Sequence, residues 1–260
     1  MTFISKATTS AVNYGLPNAV SPEARRKSAN PRRGACKDPQ MLDGTSLAIS
    51  DLHNSMSSLF KSGVYSDLTV ICGRDKYPVH RAVVCPRSKF FEAACRHNFK
   101  EAVTAEINLA EDDPIAVKIM MNHFYNLNYS DGSTTTSETG STLPGDKKFL
   151  LLDHAKVYSL AEKYGVPSLK KLAVDKFERQ ARKDCDGEDL VDAAVEAYTG
   201  TVPKDRGFRD EVVRAMTNHM DVLTHEPFRE AMNGLDIGVD VVLYLQQQGR
   251  ILNTDPRNRW

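Results

Sequence analysis

Residues 66–94 read SDLTVICGRDKYPVHRAVVCPRSKFFEAA, and the hydrophobic period changes part-way along them. Leu68, Val70 and Cys72 fall on one side of an alternating run, the pattern of a half-buried strand. Gly73-Arg74-Asp75 supplies a turn, and Lys76 to His80 is expected to return antiparallel. Pro78 requires a place where a ladder hydrogen bond is dispensable. Pro86 is expected to open a helix, since proline in a first turn gives up a donor that has no partner there. Phe91, Ala94 and Cys95 would form its inward face, with Phe90 beside them. The stretch thus reads as a hairpin followed closely by a helix.

Downstream, Glu106-Ile107-Asn108-Leu109 alternates as a short strand. Asp112-Asp113-Pro114 is a helix start, a capping carboxylate followed by proline. Val117, Met120, Met121 and Phe124 then recur at i, i+3, i+4 and i+7, a helical stripe. From Asn126 to Lys148 the chain turns rich in Ser, Thr and Gly, and an inserted flexible loop is expected over about 128–148. A helix resumes near Phe149, apolar round more than half its circumference, and ends at Gly165-Val166-Pro167. The next carries Leu169, Leu172, Ala173 and Phe177 on one stripe. Past Asp184 the pattern predicts helices over Glu188–Tyr198, Phe208–Leu223 and Glu226–Met232, with a last one over Val239–Leu245. Upstream, order is expected from Ser46, with a short helix over Asp51–Phe60. Residues 1–45 hold too few large apolar side chains to offset their ordering entropy and read as a polar, basic disordered tail. Arg25-Arg26-Lys27 and Arg32-Arg33 in that tail are either a nuclear import signal or solvated charge.

Composition narrows the function. Among 260 residues, 34 basic side chains balance 34 acidic ones, so the strong positive field of a dedicated nucleic-acid or membrane-surface binder is lacking. The five cysteines have no C-x-x-C spacing, the first residues lack the apolar core of a signal peptide, and no run approaches the roughly 18 apolar residues a spanning helix needs. A soluble protein of the cytoplasm, the nucleus or both is expected, with reduced thiols, no membrane and no direct nucleic-acid contact.

Three segments, taken in order, resemble the BTB/POZ domain family, in the style of its fungal members. They are residues 66–94; DPIAVKIMMNHFY, residues 113–125, like the family's helix ending in an aromatic-Tyr pair; and HAKVYSLAEKYGVPSLKKLAVDKF, residues 154–177, like its paired closing helices. The family's Tyr-Thr-Gly-x-Tyr turn is replaced after Tyr125 by the polar insertion, and the N-terminal strand that some animal members exchange is not evident in residues 41–50. The resemblance implies an α+β fold: a BTB/POZ domain at 46–182, a small sheet packed on a helical cluster, followed by an all-helical extension at 183–260. It implies a protein–protein interaction module that forms homodimers and docks other proteins, with no cofactor and no enzymatic activity.

The resemblance also assigns roles to particular residues. Asp67 and Arg81 would form a charged pair in a groove near the subunit interface; the alternative is an ordinary ion pair at the strand ends. Phe99-Lys100-Glu101 stands where members that recruit a cullin scaffold carry an apolar-x-Glu triplet, and Tyr125 would lie on the same side. A substrate adaptor of a cullin-type ubiquitin ligase is the leading specific expectation. A dimerising scaffold, or a transcription-related adaptor acting through partners, is the alternative. The remote rival is a zinc-dependent or cysteine enzyme using His80, Cys85, Cys95 and His97, whose spacing lacks the tight ligand pairs zinc favours. Asp112-Asp113 as a catalytic pair competes with simple helix capping, and no G-x-S-x-G elbow or phosphate loop is present.

Overall fold

A computed structural model describes residues 44–96, 99–130, 149–232 and 234–251. The expected tail apart from residues 44 and 45, its two basic clusters, His97 and most of the polar insertion lie outside these residues. The first helix, α1, runs Gly44–Ser62, well beyond the expected Asp51–Phe60. Its N-terminal half buries nothing large: Leu47, Ile49 and Leu52 are all more than half exposed. Met56 and Phe60, further along, pack on the core.

The hairpin forms as expected, with β1 at Leu68–Cys72 and β2 at Asp75–Val79 in antiparallel register, Cys72 opposite Asp75. Gly73 takes φ +57, which closes the two-residue connection without Cβ strain. Leu68, Val70 and Cys72 are buried together. β3, Glu106–Asn108, joins the other side of β1 in parallel, giving the order β2-β1-β3. Val79 directs its carbonyl at β1, accepting from the Asp67 N–H at 3.2 Å. Backbone groups alternate sides along a strand, so the missing N–H of Pro78 falls on the free edge of β2.

Between β2 and β3 lie α2 (Arg81–Val84), a 3-10 turn (Cys85–Arg87), α3 (Lys89–Ala94) and α4 (Lys100–Thr104). Pro86 opens only the 3-10 turn. Ser88 is the cap of α3, its Oγ accepting from the Phe91 N–H at 3.2 Å and donating to the Tyr164 carbonyl at 2.5 Å. α5, Pro114–Asn126, starts at Asp113 as expected, the carboxylate accepting from the N–H groups of Ile115 and Ala116. Its stripe is fully buried, each large side chain contributing about 1.5–3 kcal/mol of transfer free energy. Ile119, His123 and Tyr125 are buried too, so α5 is a central helix rather than a one-sided one.

α6 (Leu151–Lys163) packs on α5, on α7 (Pro167–Lys183) and on α8 (Gly187–Thr199). Gly165, at φ +64, makes the tight exit: its N–H donates to the Glu162 carbonyl and that of Val166 to the Ala161 carbonyl. α9 (Arg206–Asn218), a 3-10 segment (Met220–Thr224), α10 (Glu226–Met232) and α11 (Ile237–Gln247) complete the described residues. The expected helix Phe208–Leu223 thus breaks at Asn218 and resumes as a tighter 3-10 turn. Phe208 of α9 packs with tilted rings against Tyr158 of α6 and Phe177 of α7, with ring centroids 4.9 and 4.7 Å away.

Candidate protein-interaction surface

Two clusters meet where β2 runs into α2. In the buried one, the His80 backbone N–H donates to the Tyr125 hydroxyl at 2.8 Å, and the ring nitrogens reach Tyr125 and the Val64 carbonyl at 2.8 Å each. A carbonyl only accepts, so Nε2 carries the hydrogen and Nδ1 takes the tyrosine O–H. Tyr125 also stacks on Phe60 of α1 at 4.8 Å. Burial pushes its hydroxyl up to about 12, with a smaller upward contribution from Asp67. One side chain thereby joins α1, β2 and α5.

The second cluster is at the surface. The exposed Asp67 carboxylate accepts from the backbone N–H of Arg81 at 2.7 Å, satisfying an orphan donor at the start of α2. The Arg81 guanidinium points instead to α4, donating from Nη2 to the Ala102 carbonyl at 3.2 Å. Its Nε is buried without a hydrogen-bond partner among the described residues. Phe99, the residue before α4, is 54% exposed, and Val103 one turn later is 84% exposed. Lys100 is exposed and Glu101 half-buried between them. On the other side of Asp67, Tyr65 is 86% exposed and held at φ +65, a left-handed conformation disfavoured for an aromatic residue.

The BTB/POZ domain family model matches residues 56–181. These residues are a BTB/POZ domain. Such domains are protein–protein interaction modules, not an enzyme family. The mouse TD and POZ domain-containing protein 1-like is 26% identical over 143 residues, 55% of this chain and 32% of its own. Human BTB/POZ domain-containing protein 9 is 28% identical over 120 residues, 45% of this chain and 17% of its own. The matches therefore span a third or less of each relative's length. The BTB domain of zebrafish PATZ1 superposes with a TM-score of 0.36 at 15% identity, covering 54% of this chain and 98% of that one.

Within the BTB domain the expected site residues separate. Phe99, Lys100 and Glu101 stand at the surface on the start of α4. Tyr125, expected on the same side, is 1% exposed and engaged with His80 and Phe60, so its own side chain offers almost no contact surface. The charged pair of Asp67 and Arg81 is revised. Their hydrogen bond is carboxylate to backbone, and the guanidinium goes to a helix-terminal carbonyl. Val103 and Tyr65 were missed. Val103 was legible as the apolar residue four positions after Phe99, the spacing that stacks two side chains on one helical face. Among the described residues no group of three or more His, Cys, Asp or Glu is arranged to hold a metal, and no helix is long and apolar enough to cross a membrane.

Proposed function

We propose that this protein is a self-associating adaptor whose BTB domain docks a cullin-type scaffold through Phe99 and Glu101. The observation that carries the docking is the apolar pair Phe99 and Val103, left in water on one face of α4 with the Glu101 carboxylate between them in sequence. An exposed aromatic beside an acid is the composition of an anchor that fills a partner pocket while the carboxylate meets N–H or basic groups. Self-association is supported by α1. Its N-terminal stretch, residues 44–50, carries no charge and exposes Leu47 and Ile49, so two copies meet there without like-charge repulsion. A client contact is supported at the far end of the chain, where Met232, Leu235, Val239, Val242 and Leu243 line an open apolar groove of about 370 Å³.

The test is a pull-down of purified full-length chain with a cullin. Binding lost in both Phe99→Ala and Glu101→Ala, with unchanged thermal melting, supports the adaptor. Binding that persists in both variants, or is absent from the parent, removes the cullin and leaves a dimerising scaffold, the reading that α1 alone favours.

A further inference from the structure

We propose that Cys85 and Cys95 form a reversible thiol–disulfide site oxidised by hydroperoxides. Cys85 opens the 3-10 turn and Cys95 caps the C-terminus of α3, so the two bracket that helix. Both converge on one atom. The Cys85 thiol donates to the Phe91 carbonyl at 3.5 Å, and the Cys95 backbone N–H donates to the same oxygen at 3.0 Å. Cys95 is also among the neighbours that raise the Cys85 thiol, which places it beside that sulfur. Each is half-buried, packed on the core yet reachable from solvent. Cys72, by contrast, is buried at 1% exposure and bonded to the Asp112 carbonyl.

The chemistry assigns an order to the pair. Burial foremost, and then the neighbouring Cys95, push the Cys85 thiol up, against an opposing pull from Arg81. A thiol that donates to a carbonyl is held protonated, so Cys95 attacks first. Its sulfur takes the distal oxygen of the hydroperoxide, which leaves as alcohol or water, and becomes a sulfenic acid. The Cys85 sulfur then displaces that hydroxyl, the S–S bond forms, and the departing hydroxide takes the Cys85 proton to leave as water. Two thiols lose two electrons and two protons, and the peroxide is reduced. The bond ties both ends of α3 together beneath Phe91, and a dithiol such as dithiothreitol reverses it. None of this depends on which protein α4 docks.

The experiment treats full-length reduced protein with hydrogen peroxide and digests it with trypsin after blocking free thiols. Cleavage at Arg81, Arg87, Lys89 and Arg96 puts the cysteines on separate peptides, residues 82–87 and 90–96. The expected product is those two peptides joined, with a mass lower by two hydrogens and reversed by dithiothreitol. Cys85→Ser is expected to leave a sulfenic acid on Cys95 that dimedone traps, whereas Cys95→Ser is expected to keep Cys85 reduced. Joined peptides from other cysteines or from separate chains, or both thiols left free, overturn the site. Oxidation of Cys85 in Cys95→Ser at the parental rate overturns the order.

Discussion

Asp189, in the first turn of α8, accepts hydrogen bonds from the backbone N–H groups of Leu151 at 2.7 Å and Leu152 at 3.0 Å, so one helix caps the start of another. The first N–H groups of a helix have no partner inside it, and here they are satisfied from 38 and 37 residues further along the chain. Asp189→Ala is expected to lower the unfolding free energy by about 1–2 kcal/mol in urea titration, the cost of a lost cap. Tyr158 and Phe177 also rely on Phe208, beyond α8. A chain ended at residue 183 is therefore expected to lose its cooperative melt and bind a hydrophobic dye. A sharp melt in that shortened chain would show that α8–α11 are dispensable to the BTB domain's core.

Gly165 is the next position to test. Its φ of +64 lies in the left-handed region, and a Cβ there would sit 3.3 Å from the Lys89 Cβ. Gly165→Ala is expected to destabilise by about 1–2 kcal/mol, seen as a lower urea midpoint at unchanged slope.

Much of this was legible in the sequence, for a physical reason. β1 and the α5 stripe announce themselves because burial imposes a period on the residue types, and Asp113-Pro114 marks a start because each residue solves one problem of a first turn. The N-terminal half of α1 carries no such mark, since Leu47, Ile49 and Leu52 face water and no core selects their spacing. Pro86 misled because proline suits a 3-10 turn as well as an α-helix, and only the Ser88 hydroxyl distinguishes where α3 begins. At the surface, residue type leaves open which atoms of Asp67 and Arg81 meet: the carboxylate takes a backbone N–H. Tyr125 is covered because α5 is buried nearly all round, so a residue off the main stripe still faces protein.

His123 supplies a pH prediction. It is 3% exposed, with Nε2 against the Ser168 hydroxyl at 2.9 Å. Burial, aided by the Arg87 charge, lowers its pKa from 6.5 to about 4. The folded state thus resists a proton that the unfolded chain accepts, and this stability is fully present above 6.5 and lost as pH falls toward 4. The loss is expected to reach about 2–3 kcal/mol by pH 4. Urea titrations at pH 7, 6 and 5 are expected to show a shallower decline for His123→Gln than for the parent.

Tyr125 and Phe99 should fail in opposite ways. Tyr125→Phe removes the hydroxyl that serves the His80 N–H and ring, and about 1–3 kcal/mol of stability should go with it. Partner capture at low temperature is expected to survive. Phe99→Ala should shift stability by no more than about 0.5 kcal/mol while abolishing capture.

Self-association can be checked on α1. Leu47→Glu and Leu52→Glu are expected to halve the mass seen by light scattering at tens of micromolar, since a charge placed in a two-fold contact faces its own copy. An unchanged mass would move the contact off this helix.

The proline on the outer strand has a further consequence. A neighbouring chain that tried to extend the sheet past β2 would find a gap in the row of donors at Pro78, so fibre-like stacking along that side is interrupted from the outset. The open margin of β3 offers only three residues, two of them the solvent-facing Glu106 and Asn108. With both margins discouraging, other polypeptides are left to recognise this protein by side chains on its helices and loops, where a point mutation can retune the choice of partner without disturbing the sheet beneath.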